Sequence, residues 1–152
     1  MKLEKNASVC MKALPFWMIP YTFYMYYLSL FLMEEGLSSS QITLLMSVTN
    51  LSSLIFSFIA SPIVDRLGRK NTLLVFDLLS SAIPAGILYI SQSFIPAMIA
   101  LAMTGLNRIM STAYYLVLIE DTSDRNSMNS MNMFNIITVI SGVTTPLAGV
   151  IV

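Results

Sequence analysis

The chain has no histidine, a single cysteine and few charges of either sign. Each shortage excludes something. With no histidine and only Cys10, neither a disulfide within the monomer nor an ordinary His/Cys metal site can be assembled, so no metal and no cofactor is expected. Cys10 lies in the polar N-terminal stretch and reads as a reduced cytoplasmic thiol. Eight basic residues balance eight acidic ones, which leaves no electrostatic footprint for nucleic acid or another polyanion. Charged residues make up only 11% of the chain, against about 25% in soluble domains. A hydrophobic fraction of 56% and a mean hydropathy of +0.75 point the same way. A soluble fold is excluded. A membrane enzyme lacks its constellation as well: there is no histidine, no thiol within an apolar run and no pair of carboxylates there.

What the chain has is apolar length. A helix crosses the hydrocarbon core with roughly 20 residues, at about 1.5 Å each over about 30 Å. The runs 13–33, 42–64, 72–90, 94–119 and 131–152 all reach that length. The expected fold is therefore all-α and polytopic, with five transmembrane helices. The first run follows Lys2, Lys5 and Lys12, as a secretory leader would. It is longer than the about 7–15 residues of a leader's apolar core and has no small-x-small cleavage site, so it reads as a spanning helix.

Charge sets the orientation. Of the eight basic residues, all but Arg108 fall at the N-terminus, between the second and third runs, or between the fourth and fifth. The segments 34–41 and 91–93 carry none. Basic loops are retained in the cytoplasm, which places the N-terminus and the 65–70 turn there, in a multi-pass protein of the plasma membrane. Ser38 with Gln41 can form a capping box that opens the second helix.

Inside the runs, polar residues are the candidates for function. Pro15 and Pro20 remove backbone donors and should loosen the first helix. Tyr21, Tyr24 and Tyr27 share one face. Tyr24 lies about 16 Å deep, where its hydroxyl needs an internal partner; it either lines a cavity or packs between helices. Ser47, Thr49, Asn50, Ser52, Ser53, Ser57 and Ser61 make the second helix small and polar, as close helix packing requires. Asn50 is the cavity candidate among them. Asp77 sits about one and a half turns into the third helix, shallow enough for water or a basic neighbour to neutralise it. Arg108 lies about 15 Å deep, near the midplane. A guanidinium there requires a hydrated cavity or an anion, and Asp77 is one possible counter-ion. Asn129, Asn132 and Asn135 share a face at the cytoplasmic mouth. The chain stops at Val152 inside an apolar run, which reads as an interruption.

The turn Asp65-Arg66-Leu67-Gly68-Arg69-Lys70 concentrates charge between two apolar runs, and Gly68 supplies the positive φ that a tight reversal demands. The string resembles the loop signature of the major facilitator superfamily, Gly-x-x-x-Asp-Arg-x-Gly-Arg-Lys, with Ser61 in place of the leading glycine. The resemblance covers all five helices. It implies a secondary transporter of small molecules working by alternating access, built of about twelve helices in repeats of three, with the substrate between two six-helix halves. On that view this chain is an N-terminal portion. Its partners would be the lipid bilayer, a small-molecule substrate, a coupling ion (a proton is the expected one) and a missing C-terminal half or partner chain.

The resemblance also implies residue roles. Asp65, Arg66, Gly68, Arg69 and Lys70 would form a conformational latch with Glu120, or with Asp121 as the fallback, at the end of the fourth helix. Arg108 resembles the helix-4 arginine of proton-coupled drug antiporters, without the glycines that usually follow it. Pro146 and Gly149 resemble the helix-5 antiporter signature, although Thr145 and Val150 stand where glycines are expected. Together they suggest export. A reading from another class is a non-transporting membrane module whose exposed faces pair with another chain.

Overall fold

The computed structural model describes residues 5–120 and 124–149. The described residues form helices and short joints, in the order α1 (Lys5–Glu34), α2 (Ser39–Leu67), α3 (Arg69–Asp77), a π turn (Leu78–Ala82), α4 (Ile83–Ile90), α5 (Phe94–Thr104), α6 (Asn107–Glu120) and α7 (Asp124–Gly149). Three segments are long and apolar enough to cross a membrane: Ser39–Leu67, Arg69–Ile90 and Phe94–Ile119, with Met131–Thr144 as a shorter apolar helix. α1 does not join them. Trp17, Tyr21, Tyr24, Tyr26 and Tyr27, together with two prolines, dilute its apolar run. It is nevertheless an unbroken helix through Pro15 and Pro20.

The chain divides into two compact units, Leu30–Tyr114 and the pair of segments Met1–Ser29 and Tyr115–Val152. In the second of these, Leu14, Leu28, Val117, Leu118 and Phe134 are buried. The Tyr115 and Phe134 rings lie 5.0 Å apart, and the Thr138 hydroxyl donates to Met18 Sδ at 3.3 Å.

The unit Leu30–Tyr114 begins with the expected cap. Ser38 Oγ accepts from the Gln41 amide at 3.3 Å, and Gln41 Oε1 accepts from the Ser38 amide at 2.9 Å. α2 packs against α3 and α5, and α5 packs against α4 and the π turn. Small buried residues make this closeness possible: Ala60 on α2, Ser80 in the π turn, and Ala97, Ala100 and Thr104 on α5. In lipid, where apolar side chains gain nothing by leaving hydrocarbon, such close van der Waals contact is what holds helices together.

Two expected single helices prove to be interrupted. The third run contains the π turn because Pro84 has no N–H to offer the Ser80 carbonyl and its ring crowds that carbonyl. Widening the preceding turn to i→i+5 bonding relieves the clash, and the Ile83 amide bonds to Leu78 O. The fourth run breaks at Gly105–Leu106. Here the bonding tightens to three-residue spacing: Gly105 N to Ala102 O, Leu106 N to Met103 O, Arg108 N to Gly105 O and Ile109 N to Leu106 O, at 2.9–3.2 Å.

Gly105 is fixed by space. A Cβ added there would lie 2.6 Å from Ser52 Cβ, 2.8 Å from Ser53 N and 2.9 Å from Ser52 C, so the α2 backbone occupies the position. Gly105→Ala must push the two helices apart and should destabilise the chain by about 1–3 kcal/mol. Gly86→Ala, where nothing lies within 4 Å, should be neutral or stabilising by up to about 1 kcal/mol. Thermal unfolding of both variants in one detergent checks the contrast; equal midpoints would show that the crossing is loose.

Candidate functional site

The ionic turn is shorter than its sequence suggests. α2 runs through Leu67 and α3 starts at Arg69, so Gly68 alone joins them, with φ 75° and ψ 150°. No neighbour crowds a Cβ there; the glycine is required by its backbone angle. The joint is tied from the α3 side. Asn71 Nδ2 donates to Leu67 O at 3.2 Å, and the Thr72 hydroxyl and amide donate to Gly68 O at 2.9 and 3.0 Å. Carbonyls that the end of α2 would otherwise leave without donors are thereby satisfied. Neither Asn71 nor Thr72 stood out in the sequence. The cue available was a side chain with a donor just after a helix-ending glycine.

Around this joint the charges do not serve the helices. Arg66 suits the negative C-terminal end of α2, but Asp65 shares that turn, and Arg69 with Lys70 occupies the positive N-terminal end of α3. Three of these four placements oppose the helix dipoles, so the charges answer to something other than helix stability. Asp65, Arg66 and Lys70 are exposed and Arg69 is half-buried. Asp121 and the side chain of Glu120, their expected partners, lie outside the described residues, as do the side chain of Pro146 and the surroundings of Gly149.

The intramembrane candidates are placed as follows. Asp77 is half-buried at the entry to the π turn, and Ser81 Oγ donates to its Oδ1 at 3.3 Å. Arg108 is exposed and immediately follows the break in the fourth run. Asn50 is exposed on α2. The Gly105 crossing at Ser52–Ser53 separates Asn50 from Arg108, whose levels differ by about 8 Å along the parallel helices. They flank a contact rather than share a pocket.

In the other unit, Tyr21 stacks on Trp17 at 5.2 Å and Tyr27 on Phe23 at 5.0 Å. The Tyr24 hydroxyl between them is buried with no hydrogen-bond partner among the described residues. Ser80 Oγ and Asn107 Nδ2 are in the same condition. Neither stood out in the sequence, where Ser80 lies in an apolar run and Asn107 beside Arg108. No group of His, Cys, Asp and Glu among the described residues could hold a metal ion.

Long apolar helices and an ionic one-residue joint between two of them define a polytopic membrane protein. The family profile of the Major Facilitator Superfamily matches residues 13–152. The chain belongs to that superfamily, whose members are transporters and not enzymes. No curated protein and no solved structure matches it.

Tyr24→Phe removes a buried hydroxyl that has nothing to bond. Thermal unfolding should show stability unchanged or raised by up to about 1 kcal/mol. A fall of that size or more would reveal a partner for the hydroxyl.

Proposed function

We propose that this chain carries part of the substrate path of a secondary transporter. It moves a small molecule by alternating access across the plasma membrane, is coupled to an ion, a proton, and works in the direction of export. The observation that supports this most is Arg108, exposed directly after a helix break near the midplane. A guanidinium at the bilayer centre costs about 3 kcal/mol even on insertion-based scales, so an exposed one belongs where water or an anion reaches it. Asn50, Asp77 and Tyr24 supply further polar groups at membrane depth. The Asp65–Lys70 joint acts as the latch, with Glu120 or Asp121 as its acidic partner at the cytoplasmic end of the fourth helix. Pro146 and Gly149 in α7 favour export.

Five helices make up less than one of two facing six-helix halves. The reading therefore assigns the opposite wall of the path to further helices, in the same polypeptide or in a partner chain. The N-terminus and the joint face the cytoplasm, as the distribution of Lys and Arg supports.

Two variants test this in a transport-competent protein. Arg108→Ala should abolish substrate movement while membrane insertion, followed by protease accessibility, stays intact. Transport at the original rate would remove Arg108 from the mechanism. Asp65→Asn should slow the cycle about tenfold, equivalent to about 1.4 kcal/mol in the barrier, with substrate affinity nearly unchanged. Lost binding at an unaltered rate would refute the latch.

A further inference from the structure

The two interruptions in helical bonding lie at one level of the hairpin made by α3–α4 and α5–α6. Ser80 precedes Ser91 by as many residues as Thr104 follows Ser93, which puts both about 16 Å from the turn. α5 packs against the π turn at this level. Ser80 is 0% exposed and its Oγ has no hydrogen-bond partner among the described residues. Pro84 withholds the N–H that the Ser80 carbonyl would receive in a regular helix. Just past the break, Asn107 Oδ1 accepts from Ser111 Oγ at 3.0 Å, while Asn107 Nδ2 is buried without a partner. Thr104 has turned its hydroxyl inward to Leu101 O at 2.6 Å, so it offers no proton across the interface.

Two buried polar side-chain atoms, Ser80 Oγ and Asn107 Nδ2, are therefore without a partner among the described residues at a depth that bulk solvent does not reach. We infer that this level of the hairpin is an internal water site. One water bridges Ser80 Oγ and the Ser80 carbonyl, and a second accepts from Asn107 Nδ2 beside the break. Water fits because the unpaired groups are neutral and few: a cation has no use for the Nδ2 donor, and one hydroxyl with one amide N–H is too small a donor set to hold an anion. Irregular backbone at membrane depth is commonly re-satisfied in this way, and buried waters typically take two to four polar partners. Hydrated, the level is also the natural place for the outer half of the hairpin to bend.

The sign of one stability change tests the inference. If the site holds water, Ser80→Ala strips a partner from the water and the carbonyl, and the thermal midpoint of the chain in lipid nanodiscs falls. If the site is dry, the same substitution deletes an orphaned hydroxyl and the midpoint stays or rises, which overturns the proposal. Hydrogen exchange on the unsubstituted chain gives an answer that does not depend on the variant folding. Amides of residues 78–83 and 105–109 should exchange about tenfold or more faster than those of residues 50–54, at similar depth in the uninterrupted α2. Protection equal to that of α2 would exclude water from this level.

Discussion

Inside a bilayer no solvent stands ready to pair a backbone N–H or carbonyl, and each one left over costs several kcal/mol. This constraint organises the described residues more than any individual contact. It explains why nearly all of them are helical, and it explains how the hydroxyls behave. Thr22, Thr43, Ser47, Thr49, Thr72 and Thr112 each donate to the carbonyl four residues earlier, at 2.7–3.2 Å. A hydroxyl bonded within its own helix makes no demand on a neighbour. The serine- and threonine-rich face of α2 is thus less polar than its composition suggests, and its contribution to packing is small size rather than hydrogen bonding between helices.

The same constraint identifies exceptions. Wherever a helix gives up regular bonding, something more specific than lipid must compensate. At Gly68 the compensation is visible: side chains of α3 reach back to the last carbonyls of α2. At Pro84 and at Gly105 the backbone compensates by changing its spacing, and the nearby side chains of Ser80 and Asn107 keep unpaired polar atoms among the described residues. The charged joint differs again. Two of its three cations, Arg69 and Lys70, stand where the helix dipole is unfavourable, by about 0.3–1 kcal/mol each at exposed sites. That small cost falls at the one-residue joint between α2 and α3.

Much of this could be read from residue order. Three of the five apolar runs, the Ser38–Gln41 box and the positive φ of Gly68 follow from period, composition and local chemistry, and the described residues have them. The interruptions were not legible to the same degree. Pro84 in an apolar run is ambiguous, because a proline can be absorbed by a kink, a π turn or nothing visible: Pro15 and Pro20 leave α1 unbroken. Gly105 is harder still. Its necessity comes from the backbone of Ser52 and Ser53, more than fifty residues away, and no local pattern announces a contact at that separation. The candidate residues Asn50, Asp77 and Arg108 all fall within helices. The direction in which Arg108 faces depends on the helix break before it and was beyond a helical wheel.

Arg108 shows why. In an unbroken α-helix, residues seven apart differ in direction by about 20°, so Arg108 would lie directly beneath Leu101. Leu101 is 0% exposed, and a guanidinium under it would point into the apolar contact with α2. Tightening to three-residue bonding turns the chain by about 120° per residue instead of 100°. Over the three steps from Gly105 to Arg108 the added rotation is about 60°, which moves Arg108 from about 20° on one side of Leu101 to about 40° on the other. Ile109 is 0% exposed and Arg108 is exposed. The glycine that lets α5 approach α2 thus lies in the same tightened stretch that shifts the arginine's direction.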